Sequence, residues 1–140
     1  MKTKILSIIF AFAFLTALAS AVVINDVSQD ALYPGEQGRI NIEVKNTLSD
    51  NIDDVSLSLD LSKVPFISVG GSEDSVDEIK DDDEESFSFA LKPSSDIVPG
   101  DYNIPYTLTY TPDNENATKT TKTGTIGVVV GARTEISFSV

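Results

Sequence analysis

The 140-residue chain contains no cysteine, no histidine and no tryptophan. Without cysteine it forms no disulfide, no thiolate zinc site and no cysteine nucleophile, so an exported form would depend on its core for stability. Without histidine it lacks the usual general base, the usual catalytic-triad member and the commonest transition-metal ligand. These two absences exclude most hydrolase mechanisms, and the sequence predicts no catalytic residue, no cofactor and no enzyme.

Positive charge is scarce, with 10 Lys and Arg against 22 Asp and Glu and a net charge of −12. Binding to nucleic acid requires clustered basic residues, and anionic lipid headgroups would repel this chain. We therefore expect neither nucleic acid nor a membrane surface among its partners. The acidity favours solubility, and a high-salt habitat would screen the self-repulsion that it causes.

The first 21 residues have the three-part layout of a secretory signal peptide. Lys2 and Lys4 give a positive start, residues 5–18 form an apolar run, and Ala19, Ser20 and Ala21 are small. We predict a signal peptide at residues 1–21, cleaved after Ala21, with cleavage after Ala19 as an alternative. The run is shorter than the roughly 20 residues that a membrane-spanning helix needs, which disfavours an uncleaved anchor.

Most of the remaining chain alternates large apolar residues with polar ones, which is typical of strands that bury one face. The clearest case follows the Pro99-Gly100 turn, where the large residues are Tyr102, Ile104, Tyr106, Leu108 and Tyr110. Similar runs occur at 38–46, 55–61, 87–91 and 124–130, and Pro65 marks the run at 64–69 as an edge strand. Turn signals every 8–12 residues predict one all-β domain at 22–132, an antiparallel sandwich of about seven strands.

A further alternation begins after Arg133, where Ile136, Phe138 and Val140 share one face. Residues 133–140 therefore form either an extra strand of the same sandwich or the start of a following domain in a longer chain. We favour the second interpretation, because a sandwich closed by the strand ending at Val130 does not need another.

The motifs Pro34-Gly35-Glu36, Val44-Lys45-Asn46 and Pro99-Gly100-Asp101-Tyr102, with a Thr-rich final hairpin, resemble the archaeal S-layer-type repeat domain. This domain is similar to CARDB-like adhesion modules and to the domains appended to secreted α-galactosidases. The resemblance covers about residues 22–132. It implies an extracellular Ig-like sandwich, often in tandem and often tethered by a C-terminal membrane helix, and it implies no catalytic residues.

One acidic cluster is a candidate metal site. It comprises Asp81, Asp82, Asp83, Glu84 and Glu85, with further acids at 74, 77 and 78. Calcium prefers several oxygen ligands, but this run lacks the spacing and glycine of an EF-hand loop. We interpret it as a solvated acidic turn and predict no metal ligand in it. Paired carboxylates also serve glycoside hydrolysis, but no tryptophan is present to stack on a sugar.

Asn116-Ala117-Thr118 is an N-glycosylation sequon in a polar turn, which makes Asn116 a candidate glycan site. Tyr102 resembles the tyrosine of a tyrosine corner, whose hydroxyl bonds upstream backbone, or else it is an ordinary core residue. Asn46 is expected to hydrogen-bond the turn that leaves its strand.

Two functional hypotheses follow. The first is a noncatalytic extracellular module at the cell surface or S-layer, acting as a spacer or adhesion domain whose partners are other surface or tandem sandwich domains. Membrane contact would then require a tether beyond Val140. The second is an accessory carbohydrate-binding module of a secreted enzyme, which an exposed row of aromatic residues would favour. A calcium-dependent adhesin is a third hypothesis.

Overall fold

Eight antiparallel strands form two four-stranded sheets in the computed structural model, which describes residues 21–133. The strands are β1 (Val22–Gln29), β2 (Gly38–Asn46), β3 (Ile52–Leu59), β4 (Phe66–Ser68), β5 (Glu73–Ile79), β6 (Glu84–Pro93), β7 (Gly100–Pro112) and β8 (Thr120–Val130). One sheet has the order β1-β2-β6-β4 and the other β5-β3-β7-β8. The prediction of an all-β antiparallel sandwich is confirmed.

The strand order is that of an immunoglobulin-like sandwich. The order β1-β2-β6-β4 matches the ABED sheet of such domains, and β3-β7-β8 matches the CFG sheet, with β5 added beside β3. The connection between β3 and β5 is a long hairpin loop that carries β4 across to the other sheet. It closes where the Leu59 N–H donates to the Ser72 carbonyl at 2.7 Å. The Ig-like fold class is therefore shown by topology.

The core lies between the sheets and consists of the apolar residues at alternate positions. In β2, Ile40, Ile42 and Val44 are fully buried, and in β7 Ile104, Leu108 and Tyr110 are buried as predicted. Tyr102 and Tyr106 are half-buried and pack against the core. Each large buried side chain contributes roughly 1.5–3 kcal/mol relative to an exposed one. These contacts provide the main stabilisation of a domain that has no disulfide.

The starts of β3 and β6 differ from the sequence prediction. Residues 52–54, expected in a loop, belong to β3, and the pairing of β3 with β7 shifts by one residue between Asp53 and Ser56. Asp54 has a φ of 51° at this bulge, and the extra residue breaks the alternation that would have shown the strand. Glu84 and Glu85, expected in the acidic turn, already pair with β2 as part of β6.

Pro105 lies inside β7 without disrupting a sheet, although it has no N–H. The carbonyl of Pro105 accepts the N–H of Asp60 at 2.8 Å, just beyond the end of β3 at Leu59. Its ring nitrogen therefore faces the point where the neighbouring strand stops. The N–H that proline lacks would therefore point beyond the end of β3, where the ladder between the two strands has already ended.

The first and last strands run in the same direction along one side of the sandwich. Lys122 Nζ, near the start of β8, donates to the Val22 carbonyl at 2.9 Å. At the other end, Leu32 forms a parallel bridge with Val130, and the Gly131 N–H donates to the Leu32 carbonyl at 2.8 Å. The chain thus enters the sandwich at one end and leaves it at the opposite end.

Residues 21–133 contain no helix long and apolar enough to cross a membrane. The predicted signal peptide lies outside the described residues except for Ala21, and so does the predicted strand at 134–140. Ala21 continues the β1–β2 ladder: its N–H donates to Thr47 Oγ1 at 2.7 Å, and its carbonyl accepts the Thr47 N–H at 2.9 Å.

Candidate functional site

Asn46 is the only fully buried polar residue in the described part of the chain. Its Oδ1 accepts the Leu48 N–H at 3.0 Å, which is the predicted turn contact. Its Nδ2 also donates to the carbonyls of Asp50 at 2.9 Å and of Ile79 and Lys80 at 3.2 Å each. These contacts join the end of β2 to the corner where the chain passes from β5 into the other sheet. The role of Asn46 is structural and extends beyond its own turn.

Tyr102 forms the predicted tyrosine corner. Its hydroxyl donates to the carbonyl of Val98, four residues upstream, in the connection between β6 and β7. Its ring packs edge-on against Phe66, with ring centroids 5.5 Å apart and an interplanar angle of 85°. This contact attaches the edge strand β4 to β7 in the opposite sheet. Tyr102 is accounted for by the fold.

The acidic turn lies at the same corner as Asn46. The Asp83 N–H donates to the Lys80 carbonyl at 3.1 Å, and Asp82 has a φ of 59°. The side chains point into solvent, and the nearest cation is Lys45 Nζ, 4.0 Å from Asp82 Oδ1. Within residues 21–133 no three acidic side chains converge as metal ligands.

One carboxylate near this turn has a perturbed pKa. The charge of Glu43 on β2 raises the pKa of Glu84, and a hydrogen bond between the two side chains raises it further. The positive charge of Lys45, which lies opposite Glu84 in the ladder, lowers the pKa of Glu84 and offsets part of this rise. Asn25 Nδ2 donates to Glu43 Oε1 at 2.5 Å and holds this carboxylate in place. Glu84 is exposed and Glu43 is half-buried, so the two carboxylates repel each other at the surface of the sheet.

Asn116 lies in the hairpin loop between β7 and β8, and it is exposed together with its neighbours from Asp113 to Lys119. The Asn116 N–H donates to Asn114 Oδ1 at 2.9 Å in a side-chain turn. A glycan on this loop would extend from the end of the sandwich without touching the core. Attachment of a glycan to Asn116 stays a prediction.

The outer face of the β5-β3-β7-β8 sheet carries two rows of polar side chains, all hydroxyl residues except Glu73, which the sequence did not indicate. The strand registers place them as Ser75, Ser56, Thr109 and Thr121 in one row and Glu73, Ser58, Thr107 and Thr123 in the next. Each hydroxyl can donate and accept a hydrogen bond. The signal was a threonine at every second position of the final hairpin, but the rows depend on a register that the sequence does not define.

Two further observations, the exposure of the aromatic side chains and a groove beside β4, bear on the hypothesis of carbohydrate binding. The carbohydrate-binding hypothesis calls for an exposed aromatic row, but every aromatic side chain in residues 21–133 is buried or half-buried. An open groove of about 520 Å³ lies beside β4, lined mainly by Val64, Pro65, Phe66, Ile67 and Pro93. Lys92, Ser94 and Ser95 add polar groups to this mainly apolar lining.

The fold and surface define an Ig-like sandwich domain with a structural corner at Asn46 and a hydroxyl-bearing outer face. No family model and no curated protein matches the chain.

Similar solved structures include PapD-like domain 7 of human CEP192, an ASH/PapD-like domain, at 14% identity and a TM-score of 0.47, covering 85% of this chain and 99% of that one. Another is the seventh ScaB type I cohesin from Pseudobacteroides cellulosolvens, at 15% identity and a TM-score of 0.40. The match covers 81% of this chain and 96% of the cohesin chain. At these scores the similarity carries no inference about activity or partners.

Proposed function

We propose that this chain is a noncatalytic extracellular module of the cell surface or S-layer, which acts as a spacer or adhesion domain. The proposal includes the archaeal S-layer-type, CARDB-like relationship suggested by the turn motifs, export through residues 1–21, and a glycan on Asn116. Its partners are neighbouring surface or tandem sandwich domains.

The observation that carries the proposal is the position of the two ends of the sandwich. Val22 is held beside Lys122 at one end, and Gln29 is held beside Val129 at the other, where its side chain bonds both backbone groups of Val129 at 2.8 Å. The 11 residues of β8 span about 36 Å at roughly 3.3 Å per residue. Modules joined through such ends extend in a line, which is the geometry required of a spacer.

Surface labelling of intact cells that make the protein tests this location. A membrane-impermeant lysine reagent should label the protein on intact cells, while a cytosolic marker from the same cells stays unlabelled until lysis. Intact-mass measurement should show loss of residues 1–21, and a glycan increment that an Asn116→Gln variant lacks. A protein that keeps its leader and is labelled only after lysis would refute the proposed location.

The N-terminal mass also distinguishes the two cleavage sites. Cleavage after Ala21 removes the residue that bonds Thr47, whereas cleavage after Ala19 keeps the contacts of Ala21 with Thr47 in the exported protein. Either mass supports export.

A further inference from the structure

Strand β8 has an outer side that no other strand covers in the described part of the chain. The side chain of Gln29 bonds both the N–H and the carbonyl of Val129 on the side away from β7, at 2.8 Å each. In an antiparallel strand, both backbone groups of a residue point to the same side, and successive residues alternate. The backbone groups of Thr121, Thr123, Thr125 and Gly127 therefore also face away from β7. We call residues 121–127 the open run.

The other three sheet edges carry features that oppose strand pairing. Strand β4 has only three residues, and β1 has an irregular register between Ile24 and Asp26. Strand β5 carries Glu73, Asp74, Asp77 and Glu78, and Asp74 Oδ1 accepts the outward N–H of Ser75 at 2.9 Å. The open run has none of these features. Its one charged residue, Lys122, bonds Val22 instead.

The open run is limited at one end by the same molecule. Gln29 occupies the outer side of β8 at Val129, and Leu32 bridges Val130. These contacts leave seven residues, 121–127, whose central residue is Gly124. Since 124 is the midpoint, an antiparallel partner with the same sequence places Thr121 opposite Gly127 and Thr123 opposite Thr125. The backbone N–H and carbonyl groups of all four residues face away from β7. Each of these residues can therefore exchange two backbone hydrogen bonds with the residue opposite it in the second copy.

We propose that the open run is an interaction surface whose partner is the open run of a second copy of this chain, paired antiparallel about a two-fold axis at Gly124. This arrangement is self-complementary and closed, and it joins two four-stranded sheets into one sheet of eight strands. It rests on the proposed function in that it names one partner of the surface module.

The charge distribution favours this partner. The molecule has a net charge of −12, but residues 116–132 contain no Asp or Glu. Two acidic molecules therefore meet where they lack negative charge. In the antiparallel register, Lys119 of one copy comes opposite Val129 of the other, where the exposed Asp30 follows Gln29. The ends of the interface thus bring opposite charges together.

Site-directed crosslinking gives a clean test, because the natural chain has no cysteine. In the proposed pairing the two Thr123 positions are diagonal neighbours about 7–8 Å apart, within reach of a short bismaleimide. The purified Thr123→Cys protein should be trapped as a dimer. The matched control is Ser75→Cys, on the acidic edge of the same sheet, which should stay monomeric under the same conditions. Equal crosslinking of the two variants, or none of Thr123→Cys, would overturn the proposal.

Sedimentation velocity over a range of concentrations supplies the second test. Thr123→Pro removes an outward N–H without removing a β7–β8 bond, so the fold should persist while two intermolecular hydrogen bonds are lost. Dimerisation should weaken by about tenfold or more, since each bond contributes modestly. Thr123→Glu, which places like charges near the axis, should weaken it as well. Unchanged association of both variants would contradict the proposal, whereas the location on the cell surface is tested separately by labelling.

Discussion

Asn46 illustrates at the scale of one residue how a domain without disulfides joins its two sheets. We expect Asn46→Ala to lower the free energy of unfolding by about 2–3 kcal/mol, because it leaves the Leu48 N–H and distant carbonyls without a buried partner. Denaturant unfolding measures this loss. Asn41→Ala is the matched control on the same strand, because Asn41 is exposed and should change stability little.

The variant Asn46→Asp separates hydrogen bonding from shape. A carboxylate of the same size cannot donate to the carbonyls of Asp50, Ile79 and Lys80, whereas a protonated carboxyl can donate to one of them. The destabilisation should therefore be large at neutral pH and smaller on acidification. Equal stability of Asn46→Asp and the natural protein at neutral pH would show that the Nδ2 contacts are unimportant.

Glu84 gives a prediction of pH dependence. The pKa of Glu84 is raised by Glu43, so the folded state disfavours the charged form. The repulsion between Glu84 and Glu43 is absent at a pH below the usual pKa of a glutamate. It lowers the stability of the fold as the pH rises through the raised pKa of Glu84 in the folded state. Glu84→Gln should therefore raise the melting temperature at neutral pH, and not below the usual pKa of a glutamate.

The control for this variant is Glu85→Gln, the adjacent exposed residue of β6, which lies opposite the uncharged Val44 in the ladder. It should give a smaller change at neutral pH. Added salt should reduce the gain from Glu84→Gln, because Glu84 is exposed to solvent and ions screen its repulsion from Glu43. A gain that is the same at acidic and neutral pH would argue against repulsion as its cause.

At the scale of the element, the segment between β1 and β2 shows how closely a glycine can be packed. A Cβ on Gly38 would lie 2.2 Å from Cδ2 of Leu32, which is itself 1% exposed. We expect Gly38→Ala to destabilise the domain by about 1–3 kcal/mol, since a buried leucine must move. Thermal unfolding with Gly127→Ala as the control tests this, because a Cβ at Gly127 meets nothing within 4 Å.

A double variant identifies the contact responsible. If the clash with Leu32 is the cause, Leu32→Ala combined with Gly38→Ala should cost less than the sum of the two single changes. Strict additivity would place the effect of Gly38→Ala elsewhere, for example in the backbone of β2.

The bounds of a strand could be predicted from the sequence where its alternation is uninterrupted, but not where a bulge breaks the alternation. The bounds of β2 were predicted at 38–46, because Ile40, Ile42 and Val44 alternate without a break. The start of β3 was missed, because the bulge at Asp54 moves one residue out of phase. The alternation shows which side chains face the core but not which strand lies alongside, so the assignment of β4 and β5 to opposite sheets was not predictable.

The same limit applies to the candidate sites. The exposure of Asn116 and the turn at Asp82 depend on local sequence, and both lie where the polar composition indicated. The hydroxyl rows and the long-range bonds of Asn46 depend on pairings between residues far apart in the chain. The open run of β8 is of the second kind, because Gln29 defines its limit from 100 residues away.

At the scale of the whole molecule, net charge opposes folding. The chain carries −12, and the ion pairs found within residues 21–133, Lys45–Asp82 and Arg133–Glu36, are exposed to solvent and contribute little. Raising NaCl from about 0.1 M to about 1 M shortens the Debye length from about 10 Å to about 3 Å and screens the repulsion among carboxylates. We expect the melting temperature at pH 7 to rise by several degrees, measured by circular dichroism.

The comparison that separates charge from other salt effects is the same series near the sequence pI of about 4.1. At that pH the net charge is close to zero, so screening has no repulsion to reduce and the melting temperature should depend little on NaCl. An equal rise at both pH values would instead indicate exclusion of salt from the protein surface. A loss of stability with salt at pH 7 would mean that the two exposed ion pairs outweigh the repulsion among the carboxylates. For a domain with so few basic residues, the expected result is a fold that is most stable where the surrounding salt is high.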